Sequence, residues 1–329
     1  MPDFLPLFDT LSGFDRKALA RRLTSLADQH IYLGASSWKY PGWINQVYTA
    51  ERYFIRGRFS SQRFATHCLA EYAETFPIVC GDFSFYQFPS PSFWEKLFAS
   101  APPTLLFAFK APEQITAKVI PRLPRHGARA GGLNPSFLDA EAFVTGFLDL
   151  LRPWRLQVAV IILEFGAFPP RAYRHPELFL PELDGFLAQL PQDLRYAVEI
   201  RNPELLASPY FSVLRKYGVA HVFNSWTRMP PIREQIAIDE AFTAEFLVAR
   251  ALLRPGRTYE EAVRLFSPYA TIQEENPAVR DALRELILRA HRRRERAYLF
   301  VNNRLEGNAP MTIQAVVDSL SGDGPILES

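Results

Sequence analysis

The chain has 329 residues, 48% of them apolar and 22% charged, and its 37 Lys and Arg against 35 Asp and Glu leave a formal charge of +2. That is the composition of a globular protein with ample length for one large core or two small ones. The near-neutral balance excludes a global pull toward nucleic acid or an anionic membrane, and two cysteines, Cys68 and Cys80, are too few for a disulfide framework.

Residues 1–30 read as an N-terminal helical extension. They carry Asp3, Asp9, Asp15, Arg16 and Lys17 where a secretory signal would need an apolar stretch. No run approaches the roughly 18 uninterrupted apolar residues of a membrane helix. With two plain buried thiols, the expectation is a cytoplasmic protein with no membrane partner.

From there, short apolar runs recur at 31–35, 78–82, 105–110, 158–163, 196–200, 219–223, 246–251 and 297–302. Each has strand length. Several, such as 158–163, are apolar on consecutive residues, as in a parallel strand covered on both faces. Amphipathic segments separate most of them, at 61–75, 92–99, 139–151, 182–189, 209–217 and 276–294. The helical period is clearest over 281–290, and Thr258 with Glu261 fits a capping box. Eight strands alternating with helices predict an α/β fold, a single-domain TIM (β/α)8 barrel over residues 31–321, with an open doubly wound sheet as the alternative. The longest irregular stretch, 111–134, holds Arg122, Arg125, His126 and Arg129. On a barrel it lies at the active face, as a lid or as a tolerated insertion.

In such barrels chemistry sits at the C-terminal strand ends. All eight runs end in polar or ionisable residues: Ser36 to Tyr40, Asp82, Lys110, Glu164, Glu199 with Arg201, Asn224, Arg250, and Asn302 with Asn303. A doubly covered strand excludes unpaired charge, so a shared wet pocket is expected. Glu199 and Arg201 are two apart and share a face. They form either a structural ion network or part of a site. As a site, Glu199, Lys110 and Asp82 are the candidate catalytic groups. Arg201, Glu164, Trp38, Tyr86, Arg250, Asn302 and Asn303 are the candidate substrate-binding residues.

Lys110 has two readings, a desolvated lysine of depressed pKa or an anion binder. No His ends a strand at the mouth, which disfavours a His-rich metal site, while magnesium on carboxylates stays open. Arg250, Arg254, Arg257, Asn303 and Arg304 suggest phosphate binding by analogy with loops after strands 7 and 8. The basic run 289–296 reads as a solvated helix end rather than a nucleic-acid patch. The expected partner is a small polar or anionic, sugar- or phosphate-containing ligand. A nucleic-acid-processing barrel and a non-catalytic ligand-binding scaffold are the alternatives, and no cofactor is specified.

These strand ends also carry a wider pattern. Gly34-Ala-Ser-Ser-Trp-Lys-Tyr-Pro-Gly-Trp43, Tyr72-Ala-Glu-Thr-Phe76, Phe85-Tyr-Gln-Phe-Pro89 and Phe107-Ala-Phe-Lys-Ala-Pro-Glu-Gln-Ile-Thr116 occur in order. Tyr196-Ala-Val-Glu-Ile-Arg-Asn-Pro203 and Phe300-Val-Asn-Asn-Arg-Leu-Glu-Gly-Asn-Ala-Pro310 follow. Together they resemble the domain-of-unknown-function 72, or YecE-like, family. The resemblance implies a TIM barrel and brings no settled activity. It implies Lys110, Glu199, Arg201, Arg250 and Asn303 as pocket residues. The chain departs from the family where Cys80 and Asp82 replace a Glu and an Asn, where Ala117 replaces a frequent His, and where only Arg250 remains of an Arg-x-His-Gly stretch.

Overall fold

The computed structural model describes residues 13–322. Eight parallel strands close into a barrel: β1 Ile31–Ala35, β2 Ile78–Gly81, β3 Leu106–Lys110, β4 Val158–Phe165, β5 Tyr196–Ile200, β6 Ala220–Ser225, β7 Phe246–Ala251 and β8 Arg296–Val301. Neighbours pair in sequence order, and β8 closes on β1 through Ile31↔Ala297 to Ala35↔Val301. Helices lie between the strands, so the fold is the expected (β/α)8 barrel and not an open sheet. The closure is tight at Gly34. A Cβ there would lie 1.9 Å from the Ile78 carbonyl oxygen, so only glycine admits the β1–β2 contact.

A helix at Arg16–Asp28, capped by Asp15, buries Leu19, Leu23 and Leu26, and Arg22 reaches Asp318 and the Val317 carbonyl. Residues 1–12 of the expected extension lie outside the described residues. The capping box at Thr258 and Glu261 opens the helix Tyr259–Phe266. The strongest helical period becomes Pro277–Arg293, with Leu283, Leu286, Ile287 and Ala290 buried.

Alternation along the strands divides the core. Outward residues such as Leu33, Phe107, Leu163 and Leu299 pack under the helices. Inward residues, among them Cys80, Ala108, Ile162, Ala197, Val222, Val248 and Phe300, fill the barrel as a separate apolar cluster. One inward step further toward the C-terminal ends lie Asp82, Lys110, Glu164, Glu199, Asn224, Arg250 and Asn302. The polar strand ends are therefore the top layer of the barrel interior.

Strand limits differ from expectation at three site positions. Glu164 lies within β4, because it pairs in register with Glu199 of β5. Asp82 lies just beyond β2, at the start of the helix Phe83–Tyr86. Asn302 falls outside β8, because its side chain turns to accept from the Arg304 amide and caps the helix Asn303–Glu306.

Candidate functional site

Six ionisable groups meet at the barrel mouth. Glu164 and Glu199 are cross-strand partners, a like-charge pair that needs cations beside it. Arg250 supplies one: its Nη1 donates to Glu164 at 2.6 Å and also to Glu199. Arg201 bridges the same pair, 3.2 Å from Glu164 and in contact with Glu199, while its guanidinium stacks 3.8 Å over Trp226. Lys110 reaches Glu164 at 3.0 Å and lies 3.8 Å over the Phe85 ring. Asp82 completes the cluster at longer range, 3.7 Å from Lys110 and 3.6 Å from Arg250. Three cations thus neutralise three carboxylates.

This charge balance sets the protonation states. Burial pushes the Glu164 carboxyl up, but Lys110, Arg201 and Arg250 outweigh it and hold it well below the usual carboxylate range. Burial pushes Lys110 down, yet Glu164 and Asp82 prevail and hold its ammonium above its ordinary value. The depressed-pKa reading of Lys110 is therefore corrected: two carboxylates within 4 Å outweigh desolvation. Cys80, beneath the cluster, is pushed up to about 12 by burial, as is Cys68. Both are neutral buried thiols.

Above the cluster lies a cavity of about 300 Å³, walled by the loops after β3 and β4. Phe85, Glu113, Thr116, Arg122, Glu164 and Arg171 line it. Glu164 is the one member of the ionic cluster among the lining residues. Glu199 is sealed at 0% exposure, beneath the two arginines that it holds. The 111–134 loop is folded rather than loose. Val119 bridges to Leu133, and Ile120 and Gly131–Gly132 exchange backbone hydrogen bonds, forming a flap over the mouth. Glu113 anchors the flap through Arg125 at 2.8 Å and His126 at 2.9 Å.

Other expected site residues sit elsewhere. Trp38 is 4% exposed and packs edge-on against Phe83 in the core. Tyr86 is 55% exposed and carries Arg125 on its face, while its neighbour Phe85 turns to the cavity. Asn302 and Asn303 serve the backbone: Asn303 accepts from the Ala309 amide, so these two do not reach the charged cluster. The phosphate expectation for Arg254 and Arg257 fails for a similar reason. Both pair with Glu274, Arg257 by two hydrogen bonds.

Sequence reasoning missed Glu113, Thr116 and Arg171. Arg171 lies on the loop between β4, which ends at Phe165, and the turn that starts at Pro176, beyond the C-terminal end of the strand. Among the described residues no group of three or more His, Cys, Asp or Glu is disposed to hold a metal ion.

At the opposite, N-terminal end lies a cleft of about 770 Å³ lined by Arg195, Arg215, Arg294 and Arg296. The basic run behind it is largely occupied: Arg289 stacks on Phe242, and Arg289 and Arg293 pair with Glu295. No helix among the described residues is long and apolar enough to cross a membrane.

Comparison with known proteins supplies the family. The family described as "Protein of unknown function DUF72" matches residues 32–327. The UPF0759 protein YecE of Escherichia coli K12 is 26% identical over 178 residues, 54% of this chain and 50% of YecE. The matched part thus spans about half the length of that curated relative. A crystal structure of a DUF72 family protein from Thermotoga maritima aligns at a TM-score of 0.58 and 18% identity, covering 88% of this chain and 98% of that one. One from Enterococcus faecalis aligns at 0.57 and 17% identity, covering 77% and 92%. At such identities these structures speak for the fold alone. With a closed parallel barrel and a family match over nearly the whole length, this chain belongs to the DUF72 family.

Proposed function

We propose that the barrel mouth is an active site for acid–base chemistry on a small, polar, anionic substrate. The observation that carries this reading is that six charges from the ends of five strands converge in one cluster, and that Glu164 of that cluster lines a cavity. Stability does not account for such a cluster. Well-packed apolar residues of equal volume would be neutral or stabilising by about 1–4 kcal/mol in its place.

In this reading Glu164 exchanges the proton. Lys110 stays charged and stabilises negative charge that develops on the substrate. Glu199 positions Arg250 and Arg201, and Asp82 balances Lys110. The resting cluster keeps Glu164 too acidic to act as a strong base near neutrality. An anionic substrate changes that. By drawing Lys110 or Arg201 toward itself, it weakens the hold on Glu164 and raises its proton affinity. The substrate thereby readies its own base. A nucleic-acid reading draws little from the mouth, where Arg201, Arg250, Arg254 and Arg257 are all paired with carboxylates.

The test is a turnover screen over sugar phosphates, phosphorylated acids and polyhydroxy acids. At least one is expected to be converted by the wild-type protein, with Glu164→Gln reducing kcat by about 100-fold or more. Compounds that raise Tm but yield no product would place the protein among non-catalytic ligand binders and overturn the proposal.

A further inference from the structure

Beside the ionic cluster, the cavity has a second charged feature. Arg122 comes from the flap after β3 and Arg171 from the loop after β4. Their heads are neighbours: Arg122 Nε lies 3.0 Å and Arg171 Nη1 3.6 Å from the point a Cβ on Gly131 would occupy. Gly131 has φ +83°, a left-handed conformation that suits glycine. Lacking a side chain, it lets both guanidiniums close over the flap.

Other cations nearby are engaged. Lys118 pairs with Glu182 at 2.7 Å and Arg125 with Glu113 at 2.8 Å. Among the described residues neither Arg122 nor Arg171 has an ion-pair or hydrogen-bond partner. The two carboxylates that line the cavity are also taken, Glu113 by Arg125 and His126, and Glu164 by Lys110, Arg201 and Arg250. A third group points to a ligand. Thr116 is 1% exposed and lines the cavity, and its buried hydroxyl has no partner.

We infer that Arg122, Arg171 and the Thr116 hydroxyl form a clamp for a terminal phosphate-like dianion, which holds the substrate with its remainder directed at Glu164. Two adjacent unpaired guanidiniums repel each other, and a dianion neutralises both. The planar fork of arginine matches phosphate oxygens in pairs. A cavity of about 300 Å³ takes a small phosphomonoester and not a polymer. The inference rests on the proposed function in one respect, that Glu164 is the reacting end; the clamp itself stands on the loops.

Isothermal titration calorimetry with inorganic phosphate tests it, using Arg122→Ala, Arg171→Ala, the double variant and Glu164→Gln. Both arginines are exposed, so their removal should leave Tm unchanged. Phosphate affinity is expected to fall at least tenfold in each single arginine variant and to be retained within a few-fold in Glu164→Gln. Thr116→Val should weaken it less than either arginine change. A short oligonucleotide without a terminal phosphate should bind far more weakly than phosphate.

Unchanged phosphate affinity in the double variant, or equal binding of that oligonucleotide, overturns the clamp. The reaction assignment fails separately. If the arginine variants lose phosphate while Glu164→Gln turns over every substrate as the wild type does, the clamp stands and Glu164 is not the reacting group.

Discussion

Replacing Arg250 by Met removes the guanidinium that bridges Glu164 and Glu199 across β4 and β5. Among the described residues Arg201 is then the one cation left on Glu199, with Lys110 still on Glu164, inside the barrel where Glu199 has no contact with solvent. Breaking a buried ion pair from one side costs about 3–5 kcal/mol, a large share of the roughly 5–15 kcal/mol that holds a typical domain. The loss should depend on pH. The Glu164 carboxyl lies well below its ordinary range in the folded chain, against the push of burial, because of Lys110, Arg201 and Arg250. Its contribution is therefore fully present above the unfolded value of about 4.3 and is lost as pH falls through the folded value. The variant lacks much of that contribution, so its deficit is greatest at neutral pH. It narrows as pH falls below the unfolded glutamate value of about 4.3, where the wild-type protein is itself losing the Glu164 contribution. Urea unfolding followed by circular dichroism across this range gives both numbers. Adding Glu199→Gln to Arg250→Met should restore most of the loss, because Lys110 and Arg201 then balance Asp82 and Glu164. A deficit below about 1 kcal/mol at neutral pH, or no recovery in the double variant, would refute the reasoning.

Other consequences follow from single residues. His221 is buried between Tyr210 and Gln235, and burial lowers its imidazole to about 4. Unfolding then binds a proton that the native state refuses. Stability should fall by up to about 3 kcal/mol as pH drops from the ordinary histidine value of about 6.5 toward about 4, and this loss should disappear in His221→Asn. Lys110 is buried and held by Glu164 and Asp82, so an aldehyde with borohydride at neutral pH should label exposed lysines and leave Lys110 unmodified by peptide mapping; efficient labelling would contradict its engagement in the cluster. Gly34→Ala drives a Cβ into the Ile78 carbonyl and should cost more than about 3 kcal/mol or abolish soluble expression. Thr258→Ala removes one half of a capping box and should cost about 1 kcal/mol in a urea melt.

The barrel was legible because strand periodicity and residue parity leave marks in sequence. Runs such as 158–163 announce double coverage, and the polar residue one inward step past each run marks the top layer. Lys110, Glu164, Glu199 and Arg250 converge because parity sends all four inward. What sequence could not show is how each side chain is spent. Asn302 sits at the same inward step, yet it caps a helix. Arg254 and Arg257 look like phosphate ligands until Glu274, distant in the chain, takes them. Trp38 follows the first strand but packs edge-on against Phe83. The same reason bears on the expectation of Glu199 as the catalytic carboxylate and Glu164 as a binding residue. Glu199 and Glu164 are equivalent by parity, and only the arginines over Glu199 and the loops beside Glu164 decide which one faces the cavity.

The most direct test is a carbon-13 NMR titration of the Glu164 carboxyl, assigned through Glu164→Gln, with and without inorganic phosphate. The account predicts a carboxyl that stays ionised well below the ordinary glutamate range in the free protein and gains proton affinity when phosphate binds. A carboxyl that titrates like an exposed glutamate and ignores phosphate would contradict it.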